Sequence, residues 1–307
     1  MKFRISVPAT SANIGPGFDA MGIALSLYNH FEIEEAERTR VAGCEARFAG
    51  ADNLFLQAFR HAAGLLGIQA PEIALNVNAN IPLARGLGSS AAMIAGGVSA
   101  AFVAAGMGRR GFEEEEKLRI FEIATELEGH PDNAAPAVFG GFCSSILKEH
   151  GSPRAFYARC AVDPAWRFHA LVPPFELSTH KARAALPALI PRPDAVFNLG
   201  RAALLALAFQ TRRLDLVTAA CEDRIHQPYR VPLVAGYEEI VEVCEKAKAR
   251  AVWLSGAGPT IMALSAGGAE TEDLSAALNP ALSARPEGAW LQRILRADDA
   301  GLRAEVF

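Results

Sequence analysis

Apolar and polar residues alternate along some stretches of this chain and recur at helical spacing along others. Alternation is clearest in Phe31-Glu32-Ile33-Glu34, inside a run from 23 to 36 that predicts a strand. Residues 3–8 predict a second strand, and residues 72–78 (Glu-Ile-Ala-Leu-Asn-Val-Asn) alternate like a half-buried third. Residues 52–66 carry a helical stripe, with Asp52 as the expected N-cap. Residues 91–105 are small, uncharged and free of proline, which predicts a buried helix. Residues 112–128 form an amphipathic helix pattern. Its four glutamates, Glu113 to Glu116, read as a solvated first turn favoured by the helix dipole.

Breakers divide the chain. Gly151, Ser152, Pro153 and later Pro164 cluster, so a boundary is expected between 150 and 165, giving one domain over 1–160 and another over 161–307. The second half opens with a predicted strand, 167–172, and a proline-rich loop. Two helices around a short turn are expected over 198–222, and another over 238–250. Residues 251–255 and 260–265 read as strands of a hairpin turned by Gly256-Ala-Gly-Pro259. Residues 266–307 carry no usable motif, and no internal repeat is evident. The pattern is that of two α+β domains.

Composition narrows the function. The chain has 307 residues, 51% hydrophobic and 21% charged, with a net charge of −4. That charge argues against a general nucleic-acid binder, and no basic run exceeds two residues. The first residues, Met1-Lys-Phe-Arg-Ile-Ser6, lack the apolar core of a signal peptide. Residues 86–108 are uncharged but too rich in Ala, Gly and Ser for a membrane span. The five cysteines (44, 143, 160, 221 and 244) are scattered without a C-x-x-C pair. They imply reduced thiols and a cytoplasmic location rather than a zinc site.

The chemistry concentrates at the mouth of the small-residue helix. Gly86 and Gly88 let a backbone approach an anion, and the helix start offers unpaired N–H groups and the positive end of its dipole. Ser89 and Ser90 can donate to phosphate oxygens or bind magnesium. Gly86 to Ala91 also fits the dinucleotide pattern G-x-G-x-x-A. That reading needs an uninterrupted strand before the turn and an acid about 20 positions later, whereas Pro82 breaks the approach and the segment before Glu113 looks like a helix end. No G-K-[ST] of a P-loop is present.

Three segments taken together resemble a known superfamily. They are Val7-Pro-Ala-Thr-Ser-Ala-Asn-Ile-Gly-Pro-Gly-Phe-Asp-Ala-Met-Gly22, the loop from Ile81 to Ala92, and Leu254-Ser-Gly-Ala-Gly-Pro-Thr-Ile261. In this order they are similar to the three motifs of the galactokinase, homoserine kinase, mevalonate kinase and phosphomevalonate kinase (GHMP) superfamily. Residues 126–142 (Glu-Leu-Glu-Gly-His-Pro-Asp-Asn…), 178–183 (Ser-Thr-His-Lys-Ala-Arg) and 223–230 (Asp-Arg-Ile-His-Gln-Pro-Tyr-Arg) resemble the homoserine kinases in particular. The resemblance runs from about residue 4 to about 265.

It implies an N-terminal domain like ribosomal protein S5, with a left-handed βαβ unit, and a ferredoxin-like C-terminal domain. It implies ATP- and Mg2+-dependent phosphorylation of the homoserine hydroxyl, on a route to threonine. The nucleotide would lie along Pro82, Leu83, Ala84, Arg85, Gly86, Leu87, Gly88, Ser89, Ser90, Ala91 and Ala92, with Asn53 near adenine. Glu128, with Glu126 as its rival, would hold the metal together with Ser89 or Ser90. Asn13, Asp19, Asp132 and Thr179 would surround homoserine, and Arg183 and Arg230 would clamp its carboxylate, with Arg224 as an alternative. Asp132 is either a general base or an orienting group. His130 and His226 are expected to be structural or peripheral. The expected partners are homoserine and ATP; a homodimer is compatible, and neither nucleic acid nor a membrane is expected. Alternatives are another kinase of the superfamily, for mevalonate or a sugar, or an inactive nucleotide-binding relative.

Overall fold

The computed structural model describes residues 1–50, 52–148 and 154–307. The breaker cluster Gly151, Ser152 and Pro153, where the domain boundary is expected to begin, lies outside the described residues.

The first half supplies β1 (Lys2–Asn13), β2 (Gly17–Glu35), β3 (Arg40–Ala42), α1 (Leu54–Leu65), β4 (Ile73–Ala79), α2 (Ser89–Ala104), α3 (Glu114–Glu128), α4 (Pro131–Phe139), β5 (Phe142–Leu147) and β6 (Ala155–Cys160). β1 and β2 are longer than their expected spans and pair antiparallel, with register shifts at Pro8/Ala9 and Ala12/Asn13. Such bulges bend a strand and re-aim its side chains. The second one delivers Asn13 to the site described below.

α2 explains its own composition. A Cβ on Gly96 would strike the Phe31 ring, and one on Gly97 would strike the Phe55 carbonyl. The small residues therefore let α2 sit close against β2 and α1, where Phe31 and Phe55 meet at 4.9 Å. The N-cap of α1 is Asn53 and not Asp52. The Asn53 Oδ1 accepts the Leu56 N–H at 3.2 Å, while its Nδ2 donates to the Phe48 carbonyl at 2.8 Å. α3 begins with a capping box between Glu113 and Glu116, and Tyr157 donates to Glu114.

The second half supplies β7 (Arg167–Val172), α5 (Thr179–Ala184), α6 (Arg192–Thr211), α7 (Leu214–Ala220), α8 (Gln227–Arg230), α9 (Tyr237–Lys246), β8 (Ala251–Leu254), β9 (Ile261–Ser265), α10 (Ala269–Ser283), β10 (Leu291–Leu295) and β11 (Arg303–Val306). Its antiparallel sheet has the order β10-β7-β9-β8, with helices between β7 and β8 and between β9 and β10. That is the ferredoxin-like β-α-β-β-α-β arrangement. The first sheet has the order β11-β1-β2-β4-β3, with β5 on β2 and β6 on β5. β11 thus leaves the second half and pairs with β1, Phe3 facing Val306 and Ser6 facing Arg303. The core is continuous across the halves: Phe209 of α6 stacks on Phe142 of β5 at 4.2 Å and meets Trp166 edge-on. Among the described residues no helix is long and apolar enough to cross a membrane.

Candidate active site

The glycine loop is clamped from both sides. Gly86 and Gly88 adopt φ of 75° and 71°, the left-handed region where L side chains are strained. A Cβ on Gly88 would overlap the Thr10 hydroxyl, and one on Gly86 would overlap the Ser255 carbonyl. Thr10 N–H donates to the Leu87 carbonyl at 3.1 Å. Ser255 Oγ donates to the Gly86 carbonyl at 2.6 Å and lies 2.8 Å from Ser11 Oγ, which also accepts the Trp253 indole N–H at 3.0 Å. The three ordered sequence segments are therefore one hydrogen-bonded assembly around the loop.

Two clefts meet there. The larger, about 870 Å³, is lined by Pro82, Leu83, Met93, Phe48 and Asn53, among others. The smaller, about 110 Å³, is lined by Asn13, Asp19, Glu128, Asp132, Thr179, Arg183 and Arg230, together with Gly86 and Gly88. Ala84, Arg85, Ser89 and Ser90 border both. Leu87, Ala91 and Ala92 are buried in the core and line neither, so their side chains support the loop from behind. The Arg85 guanidinium is spent on the carbonyls of Leu83, Pro173 and Pro174. Asn53 lines the large cleft with both amide atoms already engaged as the α1 cap.

The small cleft is ordered by backbone strain and buried polar contacts. Asn13 and Asp19 have φ of 70° and 55°. Asn13 accepts the Asp19 N–H at 3.0 Å and donates to the Gly256 carbonyl at 2.8 Å. Arg230 is buried and donates to the same carbonyl at 3.0 Å and to Ala182 at 3.3 Å. Burial and the neighbouring Arg183 charge lower its pKa. Its guanidinium lies 5.1 Å from the Phe18 ring, which stacks on His226. His226 donates from Nε2 to the Gly15 carbonyl, leaving Nδ1 to accept from Arg230 at 3.4 Å. Arg183 and Asp19 form a two-pronged ion pair at 2.8 and 2.9 Å. Arg224 stands apart, over Phe197 and paired with Asp194 at 3.5 Å.

The catalytic candidates occupy the start of α4 and the end of α3. Asp132 is buried in the first turn of α4. Its Oδ1 accepts from His130 Nδ1 at 2.7 Å, from Asn133 N–H at 2.9 Å and from Asn133 Nδ2 at 3.3 Å. His130, expected to be structural or peripheral, lines the small cleft. Burial lowers its pKa, but the hydrogen bond and charge of Asp132 outweigh that and hold it above the ordinary histidine value. Only its place two residues before Asp132 hinted at this. Glu128 accepts from Ser90 Oγ at 2.9 Å. Burial raises its pKa, and the His130 charge offsets part of the rise. Glu126 is absent from the cleft lining and faces His61 at 3.8 Å. The Ser89 Oγ is buried without a hydrogen-bond partner. The 254–261 hairpin, the last of the three motif segments, contributes Gly256, Ala257 and Gly258 to the cleft wall, none of which is among the expected site residues.

Known proteins share this architecture. Residues 53–141 match the family model described as "GHMP kinases N terminal domain", and residues 205–283 match "GHMP kinases C terminal". The chain is 40% identical over 262 residues to a homoserine kinase of Clostridium botulinum (strain ATCC 19397 / Type A), covering 85% of each chain. It superposes on the crystal structure of homoserine kinase from Cytophaga hutchinsonii with a TM-score of 0.85 and 24% identity, over 99% of this chain and 97% of that one. An L. major mevalonate kinase in complex with R-mevalonate gives a TM-score of 0.69 at 15% identity, over 96% of each chain, so the fold alone does not choose between acceptors. The closer sequence relationship does, and this chain belongs to the homoserine kinase family of the GHMP kinases.

Proposed function

We propose that this protein transfers the γ-phosphoryl group of ATP to the side-chain hydroxyl of L-homoserine, giving O-phospho-L-homoserine and ADP on a route to threonine. One observation carries the reading. The small cleft sets two acids, Asp19 and Asp132, beside two arginines, Arg183 and Arg230, next to the glycine loop. Acids suit an ammonium and guanidinium forks suit a carboxylate, so the cleft fits an amino acid. The large cleft offers apolar walls of a size that accepts a nucleoside. Triphosphate spanning from it would reach the loop backbone and the start of α2, where N–H groups and the helix dipole favour phosphate.

Magnesium fits this site. The unpartnered buried Ser89 Oγ and the Glu128 carboxylate border the path between the clefts. Among the described residues no three His, Cys, Asp or Glu side chains converge on one point. The protein would therefore contribute one carboxylate and hydroxyl oxygens, with phosphate oxygens completing the hard-oxygen shell. When bound, the ion neutralises charge on the transferring phosphoryl group. Asp132 orients the acceptor hydroxyl and can receive its proton. Its Oδ1 is saturated by His130 and Asn133, which leaves Oδ2 for the substrate. The protein would act in the cytoplasm, where its scattered cysteines would stay reduced.

A mevalonate or sugar kinase is disfavoured, because neither acceptor carries the cation that the acids call for. The test is ADP release with homoserine, serine, threonine, mevalonate, shikimate and galactose. Homoserine should exceed the others well. Equal rates with mevalonate, or nucleotide binding without ADP release, would sink the reading.

A further inference from the structure

The ion pair between Asp19 and Arg183 stands inside the cleft that the reading above gives to homoserine. Arg183 Nη1 and Nη2 meet Asp19 Oδ2 and Oδ1 at 2.9 and 2.8 Å. Both side chains keep about a third of their surface exposed, 33% for Asp19 and 38% for Arg183. The pair is thus reachable from the cleft and not sealed in the core. Arg230, the other cation there, is held by backbone carbonyls and makes no ion pair among the described residues. Arg183 comes from α5, a helix of only six residues. The segment before it is tied to the phosphate loop by Leu177 N–H donating to the Ala84 carbonyl at 3.2 Å.

We infer that the Asp19–Arg183 pair is a latch that selects for zwitterions. The inference rests on the acceptor cleft of the proposed function. The fork that would hold a substrate carboxylate is already occupied by Asp19. An anion that takes the fork leaves the Asp19 carboxylate unpaired beside a second negative charge. An amine that takes Asp19 leaves Arg183 unpaired. Stripping one partner from a partly desolvated charge is costly. A ligand bearing both charges replaces the two halves together, and every charge stays compensated. Discrimination then comes from the penalty on the wrong ligand as much as from contacts to the right one. The latch works against singly charged alcohols even where they fit the space.

The experiment measures binding by calorimetry to the full chain, with thermal melts to confirm folding. The ligands are homoserine, 4-hydroxybutanoate, which lacks the amine, and 3-aminopropan-1-ol, which lacks the carboxylate. Asp19→Asn frees the Arg183 fork. It should weaken homoserine binding yet tighten 4-hydroxybutanoate about 2- to 5-fold, the scale of a well-formed partly exposed ion pair. Arg183→Met should do the mirror image, tightening 3-aminopropan-1-ol; if one variant fails to fold, the other carries the test. Asp132→Asn removes a charge from the same cleft without freeing a guanidinium, so its gain for 4-hydroxybutanoate should be smaller. Equal gains in the Asp19 and Asp132 variants would reduce the effect to the cleft's net charge and overturn the latch. So would a folded variant that gains nothing for its singly charged ligand. If wild type prefers another zwitterion, the homoserine reading falls while the latch stands. If homoserine is bound and phosphorylated but neither gain appears, the latch falls alone.

Discussion

The two clefts that meet at Ser89 and Ser90 are built by opposite means. The large one is mostly local in origin, from residues 43–54 and 77–93 with a short stretch at 176–179. The small one gathers Asn13, Asp132, Arg183 and Arg230 from across the chain and holds them with buried hydrogen bonds and strained backbone. An apolar cavity needs shape, which packing near the loop supplies. A charged cavity needs each buried charge compensated, and compensation requires partners of fixed position. Damage to the small cleft should therefore appear in chemistry and acceptor binding, whereas damage to the large one should appear in nucleotide binding.

The largest effect should come from Asp132. If it receives the acceptor proton, Asp132→Asn should lower kcat by about 10²–10⁴-fold. A mutant that keeps kcat and loses homoserine affinity would make Asp132 a positioning residue. Glu128→Gln should follow, with kcat lower on the order of 10²-fold and a higher magnesium requirement, because the proposed metal site would lose its protein carboxylate. Glu126→Gln, directed at His61, should leave both unchanged; the reverse result would move the metal site.

Arg183→Lys keeps a charge near Asp19 but loses the fork. The homoserine KM should rise about 10- to 100-fold with the ATP KM steady. A change in the ATP KM instead would break the division between the clefts.

His169 is a control that lines neither cleft. It lies fully buried between Ser265 and Gln292, and burial lowers its pKa to about 4. Its folded pKa is below its unfolded value, so the unfolded chain binds the extra proton. Its contribution is complete above about pH 6.5 and is lost as the pH falls toward about 4, on the order of 3 kcal/mol. Urea titrations of wild type should show that slope, and His169→Gln should flatten it without altering kcat at neutral pH. The smallest effect should be Asn53→Ala. Loss of the cap should cost about 1 kcal/mol of stability, with a modest rise in the ATP KM and none in the homoserine KM.

Local order explains what the sequence could reveal. The alternation of 31–34, the small-residue helix α2 and the 251–265 hairpin are short-range patterns, and each element formed where expected. The glycine loop was legible because φ above zero and close approach leave glycine as the unstrained choice. The cap shifted from Asp52 to Asn53 because both residue types suit that position and only the geometry of the first turn separates them. The place of His130 in the cleft lining follows from its hydrogen bond to Asp132, which no local pattern reveals. The Asp19–Arg183 pairing is invisible in the sequence for a different reason: nothing local brings together residues 164 positions apart.

β11 carries a consequence for how the molecule is made. It completes the first sheet by pairing with β1 across almost the whole described sequence. Contacts of such span are slow to form, since loop closure must precede any gain from pairing. During synthesis β1 can meet β2 early, but its other edge stays bare until 303–306 clear the ribosome. A bare strand edge invites pairing with other chains. A polypeptide stalled or cut before residue 303 should therefore be a target for chaperones or aggregation, even though every residue lining both clefts would already have been made.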